Sequence, residues 1–439
     1  MNHTRRLALL GGAALLLAGC DTFDSIFGAR RQPLPGERLP VLRRDPPLAA
    51  DAALDGRAVA LPEPTPIAEW PMAGGPPSHA PGHAAFSATP AVAWRASVGS
   101  GSDYRRRITS GPVIAGDVVY TVDAWGTVSA HGLADGRLRW RADTTPEDGS
   151  AVGLGGGAAV GGEIVYVTTG AAEVLALAVA DGAVRWRVRL PQPARGAPTL
   201  AGGRIFVPTI ENHLIALSAE DGRRLWTYRA GALTTIPLGM PAPAVEGETV
   251  VAGFGTGELV ALRVTDGRLL WSESVGLGNA SLADIVGITG LPLIDRGRVV
   301  ATGMAGTTIA VDLRSGRRLW ERAFGGPTGP VGAGDWVFAV TRNAQALALG
   351  REDGRIRWVT DLEPQAEGQR ADTARFGRPM VAGGRILLPS SRGELLLLDP
   401  AGGAVAGRVS LGSGVTLPMA LAGGTLVALA DDGTLIALR

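Results

Sequence analysis

Residues Gly247 to Trp271 read GETVVAGFGTGELVALRVTDGRLLW. A β-branched run, Thr249 to Val251, meets a Gly-rich turn from Gly253 to Gly257. A second apolar run, Leu259 to Leu262, is followed by Asp266-Gly267 and a third run that ends on Trp271. Short apolar runs bounded by glycine, with an Asp-Gly pair to supply the positive φ of a hairpin turn, read as three antiparallel strands. The same template recurs at Gly116 to Trp140, Gly162 to Trp186, Gly203 to Trp226, Gly297 to Trp320 and Gly334 to Trp358. Trp140, Trp186, Trp226, Trp271, Trp320 and Trp358 follow one another at intervals of 38 to 49 residues. Each interval also holds a further short run, such as Ala197 to Leu200 or Leu291 to Ile294. Four short strands with their turns need about 40 residues, so each interval is one four-stranded meander. A period of this length is the mark of an array of small sheets.

A seventh copy, Gly384 to Val409, is degenerate: Gly407 stands where Trp is expected, and Gly402-Gly403 replaces Asp-Gly. An eighth begins at Gly424 and reaches Arg439 directly after its third strand. The segment Ala91 to Val98 (AVAWRASV) supplies an orphan outer strand, with Trp94 placed 46 residues before Trp140, in phase with the array. The expected fold is all-β: an eight-bladed β-propeller of four-stranded antiparallel blades from about residue 85 to Arg439, the last blade closed by the N-terminal strand. Closure removes sheet edges that would otherwise template aggregation. Trp94, Trp140, Trp186, Trp226, Trp271, Trp320 and Trp358 are then structural, each burying roughly 150 to 250 Å² in the wedge between neighbouring sheets. Trp125 and Trp336 read as packing residues, and Trp70 as a cover for one end of the ring.

The chain of 439 residues is 46% hydrophobic and 19% charged, with a formal net charge of +1. Nothing in that balance suits a nucleic-acid partner. Every basic residue is Arg, which excludes both a Schiff-base lysine and a phosphate-loop lysine. Arg105-Arg106-Arg107 reads as a solvated loop. Arg5 and Arg6, the apolar run Leu7 to Leu17 and the processing site Leu17-Ala18-Gly19-Cys20 compose an export signal over residues 1–19. The small residues before Cys20, the only cysteine, resemble a lipobox, which makes Cys20 the lipidated residue of a lipoprotein. Asp21 is the residue that favours inner-membrane retention in the sorting rule of enteric lipoproteins. Residues 20–69, rich in Pro, Arg and Ala, read as an extended tether, with the propeller body over 70–439.

Candidate chemistry is sparse. His79 and His83 are four apart, a spacing that ligates metal on a helix, but GGPPSHAPGHA forbids that helix and reads as a flexible loop. His131 and His213 lack a recurring Ser or carboxylate partner. Gly153 to Gly157 (GLGGG) precedes a strand and opens no helix, so it does not fit a dinucleotide site. Asp135, Asp181, Asp221, Asp266 and Asp353 are turn formers spread around the ring. No catalytic residue, metal, cofactor or small-molecule substrate is expected.

The repeat A-L-x-x-x-D-G-x-x-x-W, as in Ala216-Leu217 through Asp221-Gly222 to Trp226, resembles the Trp-docking repeat of the quinoprotein (PQQ-like) propellers. Eight such repeats behind a lipoprotein signal look like the BamB family of outer-membrane-protein assembly lipoproteins. The segment Ser281 to Trp320 is the most specific part of the likeness. The resemblance implies a non-catalytic scaffold of the BAM complex, anchored by lipid to the outer membrane, facing the periplasm and docked on the POTRA domains of BamA. In that family the contact uses loops between central blades, with an apolar/Arg patch and an acidic pair. Here the first loop, Ala230 to Met240, offers Ile236 and Leu238 without an Arg, and these two equally suit covering a blade edge. The second loop, Ser281 to Thr289, offers Asp284 and Ile285, with Val286 near the place of the other acid. Two other functions share the pattern: a quinone-dependent dehydrogenase-like protein and a periplasmic propeller with another ligand. Many of those dehydrogenases carry a vicinal disulfide, which a chain with one cysteine cannot form.

Overall fold

The computed structural model describes residues 48–54, 56–149, 153–233, 238–276, 287–304, 306–363 and 373–439. The signal and lipidation site at Cys20 lie outside them. The body from Leu48 to Arg439 is built of eight four-stranded sheets, each paired in simple meander order. Blade 4 comprises Ala244–Glu246, Thr249–Gly253, Glu258–Arg263 and Leu269–Ser274, so the opening stretch supplies its outer three strands. The innermost strand is short, three residues in most blades. In the eighth sheet Ala420–Ala422, Thr425–Leu429 and Thr434–Leu438 are completed by Val92–Ser97, with Val92 opposite Leu438 and Trp94 opposite Ala437. The N-terminal strand therefore closes the ring, as its orphan Trp94 implies. The inner three strands of each blade are almost wholly buried, whereas outer strands alternate exposed and covered residues, as in Val92–Ser97 and Val405–Ser410.

Every blade but the seventh grips the next through its tryptophan. Trp226, in the outer strand of blade 3, lies against Gly267 of blade 4, and a Cβ built on that glycine would meet Trp226 Cε3 at 2.6 Å. Gly267 has φ +71, so its missing side chain serves both the turn and the indole. The indole Nε1 donates to Val264 O, three residues before the glycine, at 3.0 Å. The same donation runs from Trp94, Trp140, Trp271, Trp320 and Trp358 to Leu133, Val179, Leu313, Arg351 and Pro400. At Trp186 the matching carbonyl, Ala219 O, is taken by Tyr166 Oη at 3.0 Å. The aspartates of these turns accept from the backbone N–H two residues on, Asp266 from Arg268 and Asp181 from Ala183, a local turn-stabilising bond.

Across its own sheet every one of these tryptophans faces an alanine: Ala261 opposite Trp271, Ala310 opposite Trp320, Ala348 opposite Trp358. The strand bulges immediately beside that pair, between Ala261 and Leu262 in blade 4. Blade 7 reverses the sizes, with Leu397 opposite Gly407.

Candidate partner face and axial channel

Strand direction alternates within a meander, so the connections between blades share one face of the ring with the turns between second and third strands. The Asp-Gly turns occupy the other. Leu238 lies on the interblade face, in the connection from Arg224–Arg229 to Ala244–Glu246, and is 64% exposed. Its neighbour Met240 is buried, and Met240 N–H donates to Arg195 O at 3.0 Å. A large apolar side chain thus projects beside a fixed backbone point. Ile236, Asp284 and Ile285 lie outside the described residues. The connection that carries the last two resumes at a buried residue, Ile288, whose N–H donates to Phe254 O at 2.9 Å.

The same face carries a cluster that composition did not single out. Tyr104 is 82% exposed and Trp125 is 52% exposed. The Arg105 guanidinium lies 5.0 Å over the Tyr104 ring and that of Arg106 lies 3.6 Å over Trp125, a cation–π arrangement. Asp103 Oδ1 accepts from the N–H groups of Arg105 and Arg106, which hold its carboxyl below the usual carboxylate range. Trp125 is therefore a surface platform rather than packing, while Trp336 is buried as expected. The signal for Trp125 was its place in a second-to-third-strand turn, where no sheet face can cover it.

The opposite end of the axis is closed by the chain itself. Residues Ile67 to Ala84 visit the innermost strands in ring order. Ile67 O accepts from Gly423 N–H of blade 8 at 2.9 Å, and Trp70 exchanges two 2.8 Å bonds with Ile114 of blade 1. Pro71 O then accepts from Val160 of blade 2, and Met72 Sδ from Leu200 N–H of blade 3. Pro77 O and Ser78 O accept from Val245 and Ile294 of blades 4 and 5, and Ala84 N–H donates to Val381 O of blade 7. Blade 6 is reached through Arg378, whose Nη2 donates to His79 O at 2.9 Å and Pro330 O at 2.8 Å. Upstream, Leu54 and Val59 are buried against Trp336, so the chain is packed on the blades well before residue 70.

This corrects the reading of GGPPSHAPGHA as a flexible loop. His79 is fully buried, with Nδ1 bonded to Pro292 O at 2.8 Å. Burial first and the Arg378 charge second push its pKa down to about 3, so the ring is neutral. His83 accepts from Gly384 N–H through Nε2 at 2.9 Å, which leaves Nδ1 to donate to Pro62 O at 2.6 Å. Both histidines are plug side chains spent on backbone groups outside the plug, His79 on blade 5 and His83 on blade 7 and Pro62. Sequence periodicity missed this segment because its bonds are made by main-chain atoms along the strand edges, which demand no apolar spacing. Trp70 does cover an end of the ring, and is 2% exposed.

Above the plug the channel widens into a cavity of about 170 Å³, lined at its mouth by the residues that lead into the innermost strands. Thr109, Thr289 and Thr416 among them spend their hydroxyls on Gly156 O, Pro327 O and Asp431. Among the described residues no helix is long and apolar enough to cross a membrane.

The family model described as "Outer membrane protein assembly factor BamB" matches residues 124–360. The outer membrane protein assembly factor BamB of Burkholderia pseudomallei is 28% identical over 360 residues, covering 79% of this chain and 87% of the relative. The BamB of Moraxella catarrhalis superposes with a TM-score of 0.63 at 21% identity, over 79% of this chain and 98% of that one. A quinohemoprotein alcohol dehydrogenase of Comamonas testosteroni gives a TM-score of 0.65 at 13% identity, over 88% and 82%, which is a likeness of fold alone. With the repeat, the closed ring of eight blades and a family model spanning more than half its length, the chain belongs to the family of the outer membrane protein assembly factor BamB.

Proposed function

We propose that this chain is a non-catalytic scaffold of the β-barrel assembly machinery, held by a lipid on Cys20 at the periplasmic side of the outer membrane. A tether up to Pro47 would let the body stand away from the bilayer. The interblade face would dock on the POTRA domains of BamA. The observation that carries this reading is the family match over residues 124–360, joined by a curated relative aligned along most of both chains and named as an assembly factor. Leu238 supports the choice of face: it is a large apolar side chain exposed beside a buried anchor, free to enter a pocket of a partner. Elsewhere on the same face, Tyr104, Trp125 and two arginines provide the aromatic and guanidinium chemistry enriched at interfaces. Asp284 and Ile285 belong to the same proposed contact.

The test is co-purification of BamA with the double variant Leu238→Ala, Asp284→Ala. Recovery is expected to fall about tenfold or more, since hot-spot truncations cost ~2 kcal/mol or more; undiminished recovery sinks the assignment. The dehydrogenase reading is favoured by the shared fold. Incubation with the quinone cofactor and Ca²⁺ separates the two, because a retained chromophore with alcohol-oxidising turnover would replace the scaffold by an enzyme.

A further inference from the structure

A buried charge in the axial channel has no counter-charge among the described residues. Arg378 is 5% exposed and lines the cavity of about 170 Å³. Its Nη2 is satisfied by two carbonyls, but Nε is buried with no hydrogen-bond partner, and Thr328 Oγ1 on the same cavity is buried and unpartnered as well. Among the described residues, no Asp or Glu lines this space. Burial lowers the Arg378 pKa to about 10, so the guanidinium remains charged at neutral pH. Burying a cation without a carboxylate is expensive, and two carbonyl bonds offset only part of the lost hydration. An incoming carboxylate would supply the missing charge and accept a strong, charge-assisted bond from the guanidinium.

The walls decide which anion. Ala197, Met240, Ala242, Leu291 and Leu417 make most of the lining apolar, and three of the threonine hydroxyls are already committed. One cation with few free donors suits a monoanion with a compact apolar body better than a phosphate or sulfate. In volume, a cavity of roughly 150 Å³ holds a benzene ring. We infer that the mouth of the axial channel binds a small apolar carboxylate, its carboxylate against Arg378 and its body against the alanine and leucine walls. Two sources share that chemistry: a free organic acid, and the C-terminal residue of a polypeptide presented at the interblade face. The site is separate from Leu238 and stands whether or not BamA docks there.

Isothermal titration of the whole protein tests it with benzoate, its neutral analogue benzamide, N-acetylphenylalanine as a chain-end mimic, and inorganic phosphate. Benzoate is expected to bind about tenfold or more tightly than benzamide or phosphate, the worth of one hydrogen bond to a charged group. N-acetylphenylalanine binding as well as benzoate points to a chain end, and benzoate alone points to a free acid. Two variants guard against a folding artefact. Arg378→Met removes the charge, while Ala242→Leu fills the cavity and leaves Arg378 with both its carbonyl bonds. Each should lower benzoate affinity about tenfold or more. Equal binding of benzoate and benzamide, no heat with benzoate at millimolar concentration, or wild-type affinity in Ala242→Leu would overturn the proposal.

Discussion

Seven of the contacts between blades are made by a tryptophan on a turn glycine, and one is not. The exception is the junction from blade 7 to blade 8. There the receiving blade has no turn between its third and fourth strands, because those strands are Thr434–Leu438 and Val92–Ser97, the two ends of the array. With no turn glycine to receive an indole, blade 7 has Gly407 in the tryptophan's place. The alanine that would face the indole within its sheet becomes Leu397, which refills the volume. The degeneracy of blade 7 is therefore complementary to the closure. A tryptophan is required where a hairpin follows, and it is absent where chain ends meet.

That comparison can be broken most forcefully at a tryptophan. Trp320 is 6% exposed and bonds Arg351 O, so Trp320→Ala should cost ~3–5 kcal/mol in urea unfolding. A cost near zero would mean the indoles do not clasp the blades. The axial plug is the second device that ties blades together, and it predicts an acid sensitivity. His79 is neutral in the fold with a pKa of about 3 against 6.5 unfolded. Its contribution is therefore complete above pH 6.5 and is lost progressively as the pH falls toward 3. At pH 4.5 the loss should be ~2–3 kcal/mol, and His79→Asn should flatten the pH dependence of the melting temperature.

Two glycines of blade 7 provide the sharpest contrast. Gly403 has φ +76, and an added Cβ would meet the Trp358 ring at 2.5 Å, so Gly403→Ala should cost ~2 kcal/mol. Gly407 has no indole above it; its nearest neighbour would be Leu397 Cδ1 at 3.3 Å. Gly407→Ala should change stability by less than ~1 kcal/mol, and equal effects at both positions would contradict the assignment of roles. A further small change is at the one clasp with a substituted donor. Tyr166→Phe leaves Ala219 O without its hydroxyl and should cost ~1 kcal/mol.

Much of this was legible in the sequence. The Asp-Gly turns, the phase of Trp94 and the closing strand follow from local chemistry and spacing. What the repeat did not reveal is that each indole reaches forward onto the glycine of the next blade, since that contact is about 40 residues away along the chain and periodicity marks positions rather than partners. Leu238 could be named because the family resemblance pointed to its connection, where it is one of the large apolar residues. Arg378 could not, because Gly377-Arg378-Pro379 resembles any other blade entrance until the plug carbonyl at His79 is seen above it. Trp125 was misjudged by applying to a turn the packing rule that holds for strands.

The pairing of Val92 with Leu438 also sets an order of events. Synthesis delivers the N-terminal end of a chain first, yet the partner of that strand arrives after all seven other blades. The plug residues Ile67 to Ala84 likewise precede every blade they bridge. Neither can find its native contacts until the remainder of the ring has emerged, and such long-range pairings are slow to form. The first strand must wait with its edge uncovered, the condition in which strands aggregate, so the vulnerable interval of this protein ends only when Thr434–Leu438 has formed.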